Sequence, residues 1–268
     1  MSLAPLRRDF LRTAGVALAC GFASRAWGRA PPPRNPALLA AINKAGRQRM
    51  LSQRLAKAWL MLSMGVLPDS AQTIFQQSMA VFEDQLAELG KFKPSSEVRL
   101  ALARLGEEWL VYKAVLEEVP SRGRENRLFE ANETVLVLAN SLTLAYEHLS
   151  YSPAGRLVNI AGRQRMLSQR MAMLFLFRQR KVQPALCQSE LARARREFSS
   201  AHEILRTASQ ASSSILAELD LVDQQWMFFQ NALDAQDDPE RAAAAVATTS
   251  ERILEQMEIV VGLYEKLT

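Results

Sequence analysis

The chain has 268 residues, 49% of them hydrophobic, with only 11 glycines and few alternating β-branched runs. This composition indicates a soluble helical protein, long enough for one large domain or two small ones. The formal net charge is +5, but residues 1–30 hold five arginines and one aspartate, so the remainder carries only about +1. Because the arginine-rich segments also lack interleaved aromatic residues, nucleic-acid binding is not expected.

Residues 1–30 are predicted to be a twin-arginine signal peptide. Residues 6–12, LRRDFLR, fit the twin-arginine pattern, and residues 13–23 form an apolar stretch too short for a permanent membrane anchor. Cleavage near Ala26 or Gly28 would release the protein into the periplasm.

Other interpretations of this N-terminal segment stay open. A basic amphipathic helix on a membrane surface is the structural alternative. Cys20 raises the possibility of a lipoprotein, although the preceding residues match a lipobox poorly. A proline-rich linker, residues 31–36, follows the segment in either case.

A ten-residue stretch, AGRQRMLSQR, occurs twice, at residues 45–54 and again 116 positions later at residues 161–170. All ten positions match, whereas the rest of the two halves agree only thinly. We interpret this as an old duplication in which this stretch, the box, has been constrained.

Each copy of the box lies in a run of good helix formers without interior proline, from about 36 to 64 and from about 154 to 181. A glycine costs a helix about 1 kcal/mol relative to alanine, so its retention in both copies predicts a close approach of another backbone. Residues three or four apart share a helix face. One face therefore carries Ile42, Ala45, Gly46, Arg49 and Gln53, matched by Val158, Ala161, Gly162, Arg165 and Gln169, and a second carries Arg47 and Arg54, matched by Arg163 and Arg170.

The box helices contain no acidic residue. None occurs between Asp9 and Asp69, or between Glu147 and Glu190. Their arginines must therefore find counter-charges elsewhere, either on glutamates of neighbouring helices or on a bound anion. We favour a small planar anion gripped by one arginine from each repeat, since a guanidinium group binds such anions in bidentate fashion.

Residues 41–56, AINKAGRQRMLSQRLA, resemble the nitrate/nitrite-recognition box of bacterial nitrate sensor kinases, and the doubled form resembles the PilJ-type sensory domain of type IV pilus chemotaxis transducers. The resemblance implies that the box lies on the first helix of a four-helix bundle, where two copies meet to bind one anion. Asn43 and Asn159 correspond, but Lys44 has no counterpart in the second copy. The ligand-binding residues that the resemblance and the shared faces suggest are Arg49, Arg165, Gly46, Gly162, Asn43, Asn159, Arg54, Arg170, Gln53 and Gln169.

Turn and capping residues divide the rest of the chain into further helices. In the first half they predict helices over about 68–90, from 96 to near 120, and from 124 to about 150. Residues 151–153 separate the halves, and the second half repeats the order. We therefore predict an all-α protein of two tandem up-and-down four-helix repeats, residues 37–151 and 152–268, in a pseudo-two-fold arrangement.

Apolar landmarks recur in both halves, the last pair with two inserted positions, and are predicted to be core. Methionines at helical spacing are assigned to the core as well. The landmarks are Phe82 and Phe198, Trp109-Leu110 and Trp226-Met227, and Tyr146-Glu147 and Tyr264-Glu265, and the methionines are Met166, Met171 and Met173.

No catalytic constellation is evident. Ser52 and Ser168 have no histidine nearby in sequence, and the only histidines, His148 and His202, have no second metal ligand beside them. With no phosphate-binding glycine loop or dinucleotide fingerprint either, we expect neither an enzyme nor a cofactor.

The sequence thus predicts an exported binding protein that senses a small oxyanion, nitrate or nitrite first, and signals to a partner. The alternative is a non-enzymatic adaptor in which the box is a helix-packing seam. The first interpretation expects the box helices to pack together with Arg49 facing Arg165, and with Gly46 and Gly162 at their closest approach.

Overall fold

The computed structural model describes residues 35–235 and 238–267, in which all regular structure is α-helical. The predicted signal peptide lies outside these ranges. The helices are α1 (Pro36–Met64), α2 (Pro68–Leu89), α3 (Ser96–Glu117), α4 (Glu125–Ser150), α5 (Pro153–Gln179), α6 (Pro184–Thr207), α7 (Ser213–Asp234) and α8 (Pro239–Glu265).

Local signals account for the ends of these helices. The side chain of Asn35 caps α1 by accepting from the backbone N–H groups of Ala37 and Leu38. Ser95, Ser152, Ser212 and Asp238 cap later helices in the same way. Five helices begin with proline. Proline suits the first turn of a helix because the backbone N–H that it lacks would have no partner within the helix there.

The two box helices, α1 and α5, pack along each other at the centre of the molecule. Helices α2 and α4 flank α1, and α6 and α8 flank α5, while α3 packs on α4 and α7 packs on α8. The two halves therefore repeat one arrangement about the seam between α1 and α5, which confirms the all-α, two-repeat fold. Both box helices run in the same direction, since Ile42 meets Gly155 near their starts and Gln53 meets Arg170 further along.

The repeated aromatic landmarks form the core of each half. Phe82 stacks on Trp109 with ring centroids 3.8 Å apart, and Phe198 stacks on Trp226 at 4.3 Å. The hydroxyl group of Tyr146 donates to the carbonyl of Phe92, just after α2, and that of Tyr264 donates to the carbonyl of Leu205 in α6. The predicted core methionines, Met166, Met171 and Met173, are buried as well.

Two landmarks do not belong to the core. Leu110 and Met227 are 67% and 61% exposed, so their assignment to the core was wrong. Each follows a buried tryptophan, and the next residue on a helix is rotated by about 100°, here toward solvent.

Helices α1 and α5 are buried on nearly every side, including many of their polar residues. Such helices need polar partners inside the protein, because a buried polar group without one is costly. Across the described ranges, none of the helices combines the length and the apolarity needed to cross a bilayer.

Candidate functional site

Arg49 of α1 and Arg165 of α5 meet in the seam, and both are almost completely buried, at 1% and 0% exposure. A β-carbon placed on Gly162 would lie 3.2 Å from the Nη2 atom of Arg165 and 3.8 Å from that of Arg49. Both guanidinium groups therefore lie close to Gly162. The structure thus brings together the two arginines that the box singled out.

The glycines of the box leave space for the arginine side chains and not for a neighbouring backbone. A β-carbon on Gly46 would lie 3.1 Å from Nη2 of Arg49 and 3.8 Å from Cγ2 of Thr143, both side-chain atoms. Long side chains on a helix point back toward its N-terminus, so each guanidinium folds over the residue three positions earlier. The prediction of a close backbone approach at Gly46 and Gly162 was therefore wrong.

Two asparagines cross the seam reciprocally. Asn159 Oδ1 accepts from Arg49 Nη2 at 2.7 Å, and Asn43 Oδ1 accepts from Arg165 Nη2, also at 2.7 Å. The Nδ2 group of each asparagine donates to a glutamate at the end of a fourth helix, Glu147 of α4 or Glu265 of α8. Each box helix thus orients the arginine of the other, in agreement with a pseudo-two-fold axis.

The symmetry breaks at the Nη1 atoms. Arg165 Nη1 donates to the carboxylate of Glu258 in α8 at 2.6 Å. Arg49 Nη1 donates instead to the amide oxygen of Asn140 in α4 at 2.9 Å. Asn140 and Glu258 are equivalent positions, since they are 118 residues apart, as are Tyr146 and Tyr264. One arginine therefore has a carboxylate where its twin has a neutral amide.

Arg49 makes no ion pair with any carboxylate of the described residues. Burial lowers its pKa to about 9, with the charges of Arg163 and Arg165 acting in the same direction and those of Glu147 and Glu197 opposing them. At neutral pH it remains a buried cation, which is costly unless an anion compensates it.

The pKa of Arg165 is also lowered by burial, but there the charge of Glu258 opposes the shift. In the described part of the chain, the Nε atoms of both arginines are buried without a hydrogen-bond partner. Each seam arginine thus retains a donor that a ligand oxygen could use.

The remaining predicted arginines form ion pairs, and Arg170 Nη1 also donates to Gln53 Oε1 of the other box helix at 3.2 Å. Arg54 donates to Glu251 of α8, with an Nη2–Oε2 distance of 2.5 Å, and Arg170 binds Glu133 and Glu190 at 2.6 and 3.0 Å. Glutamates of neighbouring helices therefore neutralise this face of the box, as the alternative interpretation expects.

Gln53 and Gln169 form a second buried polar layer, one turn further along the helices. Gln53 Nε2 donates to Asn132 in α4 at 2.8 Å, and Gln169 Nε2 donates to the carbonyl of Ser250 in α8 at 3.0 Å. Asn132 and Ser250 are again equivalent positions, 118 residues apart. These glutamines link the box helices to the fourth helices, and neither is hydrogen-bonded to Arg49 or Arg165.

Asn140 and Glu258, the residues that distinguish the two arginines, were not predicted from the sequence. The spacing of the tyrosine and glutamate landmarks contained the information, because extending it toward the N-terminus pairs these two positions. The spacing could not show that these side chains reach the arginines, because the contacting residues are 91 and 93 positions apart in the chain.

Two equivalent grooves flank the seam. One, of about 200 Å³, lies among α4, α5 and α6 and is lined by Asn140, Arg163, Arg170 and Glu197, among others. Its counterpart among α1, α2 and α8 is lined by Arg47, Arg54, Glu251 and Glu258. Both grooves thus place box arginines next to solvent.

Other chemical groups relevant to the seam are the serines of the box and possible metal ligands. The hydroxyl groups of Ser52 and Ser168 donate to the carbonyls of Arg49 and Arg165 in their own helices. Among the residues that the structure describes, no cluster of three or more His, Cys, Asp or Glu side chains could hold a metal ion.

A family model, PilJ, described as type IV pili methyl-accepting chemotaxis transducer N-term, matches residues 39–134 and 150–251, which together form more than half of the chain. The first match spans α1 to the first third of α4, and the second spans α5 to the middle of α8. No curated protein and no solved structure matches the chain.

Proposed function

The chain belongs to the PilJ family and carries its domain twice, and from this premise we propose that it is an exported sensory protein that binds a small oxyanion at the Arg49–Arg165 seam. The family is that of chemotaxis transducers, so the chain has a role in signalling. The resemblance of residues 41–56 to a nitrate/nitrite box makes these two anions the first candidates. Residues 1–30 support export to the periplasm, and a separate partner would receive the signal.

The observation that carries the proposal is the buried guanidinium of Arg49. Its hydrogen-bond partners are neutral amides, it lies next to a second buried arginine, and its Nε–H has no acceptor in the described part. A bound anion would place a negative charge next to Arg49 and accept charge-assisted hydrogen bonds from it. Because guanidinium groups are planar forks, a planar oxyanion fits this role.

We expect nitrate or nitrite to raise the unfolding temperature of the chain in proportion to the logarithm of anion concentration above the dissociation constant, adding about 2.7 kcal/mol at a hundredfold excess over it. Chloride at equal ionic strength is the control anion. Arg49→Ala should abolish the response. Arg104→Ala, at an exposed position of α3, should retain it.

A second candidate function, an adaptor with the box as a packing seam, is favoured by the ion pairs of Arg47, Arg54 and Arg170 with glutamates of other helices. An adaptor would show no anion response in the unsubstituted chain. Removing a buried partner from an ion pair typically costs about 3–5 kcal/mol. Arg165→Ala should lower the free energy of unfolding by less than this, because Glu258 would still pair with Arg47. Arg49→Ala would leave no carboxylate without a partner.

A further inference from the structure

Glu258 and Asn140 each bridge two arginines in the same way. Glu258 Oε2 accepts from Arg165 Nη1 and from Arg47 Nη2, both at 2.6 Å. Asn140 Oδ1 accepts from Arg49 Nη1 at 2.9 Å and from Arg163 Nη1 at 3.4 Å. Arg47 and Arg163 are equivalent residues of the repeated box. The donors are therefore the same in both halves, and only the acceptor differs.

The amide is the weaker acceptor of the two. A carboxylate oxygen forms charge-assisted bonds to guanidinium groups, which are shorter and about twice as strong as neutral ones. The longer distances at Asn140 agree with this difference. Glu197 neutralises Arg163 from α6, and Glu147 reaches Arg49 only through Asn159. Two cations thus converge on an uncharged oxygen.

Asn140 borders a groove that is open to solvent. Asn140 is half-buried and lies in the wall of the 200 Å³ groove, beside Arg163 and Arg170. In the opposite groove the equivalent wall residue is the carboxylate of Glu258. A small anion could enter the first groove and replace the amide oxygen, whereas the second already contains the protein's own carboxylate.

We infer that the site is one-sided: Glu258 acts as a built-in anion on Arg165, and one small monovalent planar oxyanion binds from the α4–α5–α6 groove in place of the Asn140 amide, between Arg49 and Arg163. This rests on the proposed function, which it sharpens by assigning a single ligand per chain and its route of entry. Glu258 thereby prevents a second anion from binding at the equivalent position.

Asn140→Asp tests the inference by giving Arg49 the carboxylate that Arg165 has. We expect nitrate affinity, measured by isothermal titration calorimetry on the full chain, to fall at least tenfold. The unfolding temperature without nitrate should rise. Thr134→Asp, which adds the same charge to the exposed side of α4, should change neither. Affinity equal to that of the parent chain in Asn140→Asp would overturn the inference.

Glu258→Gln tests the role of Glu258 by giving Arg165 a neutral amide, as Arg49 has in Asn140. We expect the stoichiometry of nitrate binding to rise from one to two per chain. A stoichiometry of one in a folded Glu258→Gln protein contradicts the built-in anion. If this variant does not fold, Asn140→Asp decides alone. A parent chain that binds neither nitrate nor nitrite defeats the proposed function itself, which is a different result from an unchanged Asn140→Asp.

Discussion

Buried charges set the behaviour of individual residues in this protein, and Lys57 shows how one outside the seam is paired. Lys57 of α1 is 0% exposed, and its Nζ donates to Glu251 Oε1 at 2.5 Å and to Ser250 Oγ at 3.0 Å. Burial alone would raise the pKa of Glu251, but the charges of Lys57 and Arg54 outweigh it and lower the pKa to about 2. This carboxylate therefore ties α8 to α1.

The lowered pKa of Glu251 makes a prediction about acid. Its stabilising contribution is complete above the ordinary carboxyl value of 4.5 and is lost as the pH falls toward 2. Glu251→Gln should lower the free energy of unfolding by about 3 kcal/mol at pH 7. Denaturant melts from pH 7 to pH 2.5 should show this difference shrinking.

Glu255→Gln, one turn further along α8 and exposed, is the matched control and should have little effect at any pH. Equal stability of Glu251→Gln and the parent chain at pH 7 would mean that the ion pairs of Glu251 with Lys57 and Arg54 contribute nothing to folding.

At the scale of the helix, α1 and α5 are built so that an arginine can fold back over a glycine. The β-carbon positions of Gly46 and Gly162 lie within 3.1–3.2 Å of their own helix's guanidinium group. An added methyl group would have to displace a buried, hydrogen-bonded guanidinium by a few tenths of an ångström. These glycines are therefore positioning residues for the seam.

Gly162→Ala should impair anion binding more than stability. The methyl group would push Arg165 and approach Arg49, while alanine gains about 1 kcal/mol of helix propensity. We expect the nitrate response of the unfolding temperature to fall by at least half, with a small change in the unliganded protein. Gly106→Ala in α3, whose β-carbon would meet nothing within 4 Å, should stabilise the chain and leave the nitrate response intact. An unchanged response in Gly162→Ala would refute the positioning role.

At the scale of the whole molecule, the seam joins the two halves. Helices α1 and α5 bury faces against each other that each half alone would expose, including Ile42, Ala45 and Ala161, all at 0% exposure. Arg49 would also lose Asn159, one of its two amide partners. The halves therefore depend on each other, although each has its own aromatic core.

Residues 35–151 expressed alone should not behave as a stable monomer. Since α1 and α5 share the box, we expect two copies of this half to pair through α1, replacing the tandem seam with a like-with-like seam. Sedimentation analysis would show a dimer whose unfolding temperature rises with protein concentration. A monomeric half that unfolds cooperatively at the temperature of the whole chain would contradict this dependence.

The sequence by itself determined the helices, the duplication and the pair of arginines. Helix ends depend on residues within one turn, such as the caps Asn35 and Ser152 and the prolines that follow them, so they can be read locally. The PilJ resemblance of the doubled box was confirmed, whereas its affinity for nitrate stays a prediction. Arg49 and Arg165 were identified because the box is identical in both halves and resembles a known anion-recognition box.

Only the tertiary structure decided which charges meet. Arg54 pairs with Glu251, which lies 197 positions later in the chain, and Arg165 pairs with Glu258, which lies 93 positions later. No local sequence pattern specifies a partner over such separations. The same holds for the choice between Asn140 and Glu258, for the space that Gly46 leaves to a side chain, and for the exposure of Leu110. Each depends on the rotation of one packed helix against another, because a shift of one residue turns a side chain by about 100°.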